Sequence, residues 1–312
     1  MKRTMAIIAV IFSFPPAAAP VRAVEVWAGE IVGIAARGTT ASGLSPAAVS
    51  VVLKDEIEAR GAQTADQALN ALPGVFNRRG KGIMDTSSAL TLRGVPDQKR
   101  TLVLFDGVPM NDAYTGAVDY GGLQTEDIER IEVARGPFSG LYGGGAMGGV
   151  VNFVPRRPAK REITLKGGYG GPLGPSPAME DLVKTYLSYG DRIGSRLSFL
   201  GSFGCKRTGG YPSDLNVQTP APTAGLTGWE DTTSNTGAAR YIIGDKGDNG
   251  WKELSGSLRT WYDISDDDKL SFSFSRLAYD YFYSDPNTWL RDGSGAEVWS
   301  YGTVKEGTFL GG

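Results

Sequence analysis

From residue 161 onward the chain is written in steps of two. Between residues 196 and 206 the odd positions are Leu197, Phe199, Gly201, Phe203 and Cys205, the even ones carry Arg196, Ser198, Ser202 and Lys206, and Leu200 is out of phase. Leu270, Phe272 and Phe274 alternate with Ser271, Ser273 and Ser275 in the same way, and residues 163–169, 183–189 and 254–262 repeat the pattern more weakly. Successive side chains of a strand point to opposite faces, so this period builds strands with one apolar and one small polar face. Such strands fit a soluble sandwich or a membrane barrel. Strands of about ten residues, the length that crosses a bilayer at a tilt, favour the barrel. So do aromatics near strand ends, where interfacial girdles lie: Tyr169, Tyr189, Trp261, Tyr262, Tyr279, Tyr281, Phe282 and Tyr283. Connections alternate too, with tight turns at 191–194 and 264–268 and a long loop at 208–252, as turns and loops on opposite sides of a membrane should. Five good strands are expected, with a sixth at 297–303.

Composition removes whole classes of chemistry. The chain has no His and one Cys, Cys205. A Ser-His-Asp triad, a His-ligated metal and a Cys-based metal cage are therefore impossible, and no disulfide can form within the chain. With 32 basic against 34 acidic residues there is no basic excess for nucleic-acid binding. No acid/base set emerges, so no catalytic residue, metal site or cofactor is assigned and the chain is read as a non-enzyme. Lys2 and Arg3, an apolar run over 6–14, Pro15-Pro16 and then Val21-Arg22-Ala23 read as a secretory signal over residues 1–23, too short to span a bilayer. The mature protein is expected to be exported.

Residues 45–156 read as a small α/β domain. A β-branched strand at 49–53 leads into a short polar helix at 54–60, closed by Gly61, which accepts a left-handed conformation. Thr64 and Gln67 have capping-box spacing ahead of a second helix that Pro73-Gly74 stops. Short strands are expected at 90–93, 101–105, 131–134 and 150–154. Two motifs are decoys. Residues 143–148 satisfy G-x-G-x-x-G, but the segment after them reads as strand, and a dinucleotide site needs a helix there. Residues 245–250 resemble the start of a calcium loop, yet Gly247 holds a ligand position and Gly256 stands where the bidentate Glu belongs.

Three stretches carry a resemblance: residues 50–61 (SVVLKDEIEARG) leading into 64–75 (TADQALNALPGV); residues 92–95 (LRGV) with 100–112 (RTLVLFDGVPMND); and residues 128–137 (IERIEVARGP) running through 142–154 (YGGGAMGGVVNFV). In this order and spacing they resemble the plug domain of TonB-dependent outer-membrane receptors. The resemblance implies a plug inside a large transmembrane β-barrel, a ligand taken from outside the cell, and a short N-terminal TonB box. That box would be gripped by the periplasmic partner TonB, working with its inner-membrane energising complex. The expected fold is a small α/β plug domain followed by antiparallel transmembrane β-barrel strands, a partial barrel over 157–312 facing outer-membrane lipid.

The same resemblance distributes roles. Glu30, Ile31, Val32, Gly33 and Ile34, within an N-terminal segment at 24–44, are similar to a TonB box, a β-prone stretch suited to adding as a strand to a partner sheet; an ordinary linker is the alternative. Arg93 and Arg135 resemble plug arginines that pair with carboxylates on the barrel wall, or else they cap strands inside the plug. Ligand contacts would come from loops holding Arg78, Arg79, Lys81, Asn111, Asp112 and Tyr114. Three cations near an aromatic suit an anionic metal chelate such as a ferric siderophore, and a solvated loop is the competing reading. Corrinoids (vitamin B12) and oligosaccharides stay open, and haem is disfavoured for want of His. With only residues 24–29 between the signal and Glu30, transport is expected over signal transduction. The other classes are a non-transporting exported binding module and, third, an exported enzyme. Five or six strands cannot close around a plug of roughly 110 residues, about 13 Å in radius of gyration, so the sequence reads as a fragment of a longer receptor, not competent alone.

Overall fold

A computed structural model describes residues 48–81, 84–171, 181–265 and 268–299, together with the backbone of four residues nearer the N-terminus. Those four form β1 (Ile31–Val32) and β2 (Thr40–Ala41), an antiparallel pair. The signal reading at 1–23 lies outside the described residues, as do Glu30, Gly33 and Ile34 of the candidate box.

The plug is built on β3 (Ala48–Leu53), β4 (Val75–Arg78), β5 (Ser87–Leu92), β6 (Thr101–Phe105), β7 (Val108–Pro109), β8 (Val118–Asp119), β9 (Ile128–Arg135) and β10 (Gly149–Pro155). Its main sheet has the order β3-β9-β10-β6-β7, antiparallel except for the parallel β10–β6 pair, and β4, β5 and β8 make a second, smaller sheet. Val52, Leu92, Val103, Ile131, Val133, Val151 and Phe153 pack on one side of the main sheet with Ile57 of α1 (Lys54–Ala59), and Leu102, Leu104, Ala134 and Val150 on the other. Burial on both faces explains why β10 reads as an apolar run interrupted by Asn152 alone, whose Oδ1 accepts from the Gly107 N–H. Gly149 sits where β10 presses on β9: with φ at +150°, a Cβ there would lie 2.3 Å from the Ala134 carbonyl oxygen.

Helix α1 follows the sequence closely. Glu56 accepts from the Leu53 N–H at 2.9 Å, and Gly61 takes φ +63° just past the helix end. The second helix differs. It is a 3-10 helix over Ala65–Leu69, and Thr64 makes no side-chain cap. Four of its five residues, Ala65, Asp66, Ala68 and Leu69, are buried.

The second half is a five-stranded antiparallel sheet in the order β11-β12-β13-β17-β18: β11 (Glu162–Gly170), β12 (Leu182–Ile193), β13 (Leu197–Thr208), β17 (Asp248–Asp263) and β18 (Lys269–Ser284). The long loop is not structureless. It carries β14 (Leu215–Gln218), β15 (Glu230–Thr233) and β16 (Ala239–Asp245), joined at β16 by β19 (Asn287–Thr288). Of the expected sixth strand, Glu297 makes an isolated bridge to Arg291, and residues 300–303 lie outside the described region.

This sheet is apolar on the outside. Ile163, Leu165, Val183, Leu187, Phe203, Leu254, Leu258, Leu270, Phe272 and Phe274 are exposed, while Tyr186, Ser188, Ser198, Lys206, Glu253, Ser255 and Arg259 are buried against the plug. A soluble sandwich has the opposite polarity; a barrel wall in lipid has this one. Leu200 breaks the alternation because it faces inward, where a Cβ added at Gly190 would meet both Leu200 and Pro158. The girdle expectation needs correction. Tyr169, Tyr189 and Tyr262 are exposed on the outward phase, but Trp261 and Tyr283 are buried on the inward phase with Tyr279 and Tyr281.

Candidate functional site

The six residues expected to touch ligand do not form one cluster. Alternation along β4 sends neighbouring side chains to opposite sides, leaving Arg78 exposed and turning Arg79 inward. Arg79 grips the buried Asp66 carboxylate with Nε at 2.8 Å and Nη2 at 2.5 Å, and Asn77 donates to the same Asp66 at 2.8 Å. Burial opposes the charge on Asp66, yet Arg79 and Asn77 outweigh it and hold the carboxyl below its ordinary pKa. Arg79 is therefore a structural cation. Asn111 is used up as well: its Oδ1 accepts from Val103 N at 2.7 Å and its Nδ2 donates to the Thr101 and Gly116 carbonyls. Asp112 closes a turn by accepting from the Thr115 N–H at 2.7 Å, the Thr115 hydroxyl and the Tyr114 N–H, bonds that lower its pKa. Tyr114 stands free, 88% exposed.

Lys81 has the most informative position. From the plug it donates to the hydroxyls of Tyr281 and Tyr283 on β18, the latter at 2.9 Å, and pairs with Asp214 of the long loop at 3.0 Å. Burial disfavours its ammonium, but these partners outweigh burial and raise its pKa. Around it the aromatics gather: Trp251 stacks on Tyr279 with ring centroids 4.5 Å apart, Tyr281 meets Tyr283 edge to face at 5.3 Å, and Lys246 lies 5.5 Å over the Tyr283 ring. Met84, Leu182 and Tyr211 complete the patch. All of it sits at the end of β17 and β18 from which the long loop springs. The cation-aromatic pairing found here differs from the expected one with Tyr114: it joins Lys81 to Tyr281 and Tyr283, strand residues that read as girdle in the sequence.

Arg93 and Arg135 adjoin one another. Arg135 donates to the Pro73 carbonyl at 2.6 Å and the Ser50 hydroxyl at 2.5 Å, and burial followed by the neighbouring Arg93 charge lowers its pKa. Among the described residues neither arginine has an ion pair with a wall carboxylate.

The seam between plug and wall is held instead by residues that sequence reading passed over. Gln124 Nε2 donates to Ser255 Oγ at 2.6 Å, and Glu126 pairs with Lys184 at 3.0 Å. The Asp127 carboxylate, fully buried, accepts from Tyr186 Oη at 2.5 Å, Ser202 Oγ at 2.7 Å, Arg259 Nη1 at 2.9 Å and Ser257 Oγ at 3.2 Å. Arg259 also lies 4.7 Å over the plug's Phe105 ring. At the plug's exit Arg156 reaches Glu162 at 2.5 Å and Ser188 at 3.0 Å, and Arg157 reaches Asp263 at 2.6 Å. One signal was available in the sequence. Arg259 is the one cation on the inward phase of β17, which carries Trp251, Glu253, Ser255, Ser257 and Trp261 beside it, and a buried cation requires a partner.

Residues 44–150 match the TonB-dependent Receptor Plug Domain family. The chain is 43% identical over 129 residues to the vitamin B12 transporter BtuB of Vibrio vulnificus strain YJ016, covering 40% of this chain and 20% of that protein. It is 36% identical over 120 residues to the iron-regulated outer membrane virulence protein of Vibrio cholerae, covering 36% of this chain and 18% of that one. The chain thus spans about a fifth of the length of these relatives. In fold it is similar to the ferric enterobactin receptor PfeA of Pseudomonas aeruginosa, with a TM-score of 0.56 at 20% identity over 76% of this chain and 34% of that one. The siderophore receptor PirA of Acinetobacter baumannii gives 0.54 at 22% identity over 76% and 32%. With a plug seated against a wall that is polar within and apolar without, residues 44–150 carry a TonB-dependent receptor plug domain, and the chain has the fold of part of these solved receptors.

Proposed function

We propose that the protein is the plug-bearing part of an outer-membrane receptor that takes up a scarce metal-complexed small molecule at the expense of TonB-delivered energy. The observation that carries transport over a soluble binding module is the inverted sheet, whose exposed apolar face needs lipid and whose polar face holds a plug. Ligand is met at the patch of Lys81, Lys246, Tyr281, Tyr283 and Trp251, where ammonium groups lie over aromatic faces. That chemistry favours an anionic, aromatic chelate such as a ferric siderophore. A corrinoid is the second reading, favoured by the plug's similarity to BtuB. On the periplasmic side the stretch Glu30, Ile31, Val32, Gly33 and Ile34 serves as the TonB box.

The test uses the complete receptor in outer membranes. Ferric enterobactin and cyanocobalamin are each titrated for surface binding, then followed for uptake with and without a protonophore. Saturable binding of one of them with protonophore-sensitive uptake is the expected result. Uptake of both at the rate of passive leakage, unchanged by the protonophore, overturns the reading.

A further inference from the structure

The two faces of the wall handle charge differently. On the inward phase Lys184, Lys206 and Arg259 each grip a carboxylate, those of Glu126, Glu253 and Asp127 in turn. On the outward phase the apolar band gives way, toward the loop-bearing ends of three neighbouring strands, to Arg207 of β13, Lys252 of β17 and Arg276 of β18, each of them exposed. Among the described residues none of these cations has an ion pair. Arg207 and Lys252 are register partners, and Arg276 stands opposite Gly256, where no side chain screens it. Together they rim a depression of about 550 Å³ that also holds Cys205, Leu254 and Ala278. One carboxylate, Asp280, stands in register with Lys252 without pairing to it.

A cation facing hydrocarbon is costly and one at the interface is not, so these residues mark where hydrocarbon ends on the loop side. Arg276, two residues past Phe274 on the same face, attains that level by snorkelling its long stem past the small Ala278. Lys252 is held on the outer face by an aromatic: its ammonium lies 5.3 Å over the Phe282 ring, and that ring lies across Gly250, where a Cβ would come within 2.3 Å of it. The turn end of the same face has no such surplus. Arg161 donates there to Asp191 at 2.8 Å, and Ile193, Tyr262 and Leu270 around it are apolar and exposed. Unanswered positive charge is thus confined to the side facing one leaflet.

Resting on the receptor reading above, we infer that Arg207, Lys252 and Arg276 form a binding site for a lipid of the loop-side leaflet whose headgroup carries more than one phosphate. The two guanidinium groups take phosphate oxygens in pairs and the ammonium acts between them as a point charge. Acyl chains of the same lipid lie along the exposed Phe203, Leu258 and Phe274. A headgroup with a single phosphate leaves part of this charge unanswered.

The complete receptor tests this when folded into phosphatidylcholine vesicles that hold bisphosphoryl lipid A or phosphatidylglycerol at equal mole fraction. The protein is extracted in mild detergent and its bound lipid counted by native mass spectrometry. Each cation near an anionic lipid surface contributes about fivefold in affinity, so lipid A should be retained about tenfold or more over phosphatidylglycerol. Replacing all three cations (Arg207→Gln, Lys252→Gln, Arg276→Gln) should cut that retention by about tenfold or more, and Arg161→Gln at the turn end should change it by less than about twofold. If the triple variant fails to fold, Lys252→Gln and Arg276→Gln alone should each cost about fivefold. Unchanged retention in these variants, equal retention of phosphatidylglycerol, an equal loss with Arg161→Gln, or displacement of lipid A by inorganic phosphate at matched phosphate concentration overturns the inference. A wild-type receptor that inserts into the vesicles and retains no lipid A refutes the site and leaves the receptor reading standing. One that stays soluble and never inserts refutes that reading, and the site with it.

Discussion

Phe274 offers the sharpest test of the reading that the second half is a membrane wall. It lies five residues beyond the start of β18 and is 56% exposed on the outward face. At about 3.4 Å per residue and a tilt near 45°, five residues rise about 12 Å, which is roughly the midplane of an apolar band about 25 Å tall. A lysine on the lipid face at that depth costs about 2–4 kcal/mol. Loss of the ring from lipid adds about 1.5–3 kcal/mol, so Phe274→Lys should destabilise the inserted receptor by about 3.5–7 kcal/mol in all. Ser275 is next in sequence, at the same depth, and faces Ser257 across the inward side. Ser275→Lys should change stability by about 1 kcal/mol or less. Both variants of the complete receptor can be folded into lipid vesicles and titrated with denaturant, scoring the folded form by its heat-modifiable gel mobility. Equal losses at 274 and 275, or a Phe274→Lys protein that becomes soluble without losing stability, would refute the membrane wall.

Other expectations follow from the plug and its seam. Asp127→Asn and Arg259→Met, alone and combined, should show a coupling of about 2–3 kcal/mol in denaturant titrations of plug release; additivity within about 0.5 kcal/mol would mean the two side chains do not act as a pair. Replacing Ile31 with Pro should abolish energised uptake and leave surface binding intact, and unimpaired uptake would remove this stretch as the TonB box. Asp66 has a folded pKa below its ordinary 3.8, so its stabilisation is complete above that value and fades as pH falls through the depressed one. Asp66→Asn should therefore cost about 2–4 kcal/mol at pH 7 by stranding Arg79 and flatten the acid limb of the stability curve; a loss that is the same at pH 7 and pH 2 would contradict this.

How much of this was legible in the sequence depends on how far apart the interacting residues are. Period-two alternation is a local property, and it placed β11 to β13, β17 and β18 on the chain and told their faces apart. It also flagged Leu200, though not its reason, because Pro158 and Gly190 supply the inward contact from elsewhere. Turn chemistry at Gly61 was equally local. The ligand cluster was misread where strand geometry split it: Arg78, Arg79 and Lys81 are neighbours in sequence but point to solvent, to Asp66 and to Tyr281 respectively. Trp261 and Tyr283 were read as girdle residues because an aromatic near a strand end looks the same whether it faces lipid or plug. Asp127 was invisible, since its partners lie between 59 and 132 residues away and no spacing rule links them.

Gly204 carries a wider consequence. Its missing side chain leaves room on the inner wall for the plug: a Cβ there would come within 2.9 Å of both Gln124 Cδ and Ser255 Oγ. Lock and bolt are thus encoded in different domains, and neither is free to vary alone. A plug transplanted from a relative will seat only if positions 204 and 255 travel with the counterpart of 124. For anyone assembling chimeric receptors the natural unit of exchange is then this trio, and a junction cut cleanly between plug and wall would divide it.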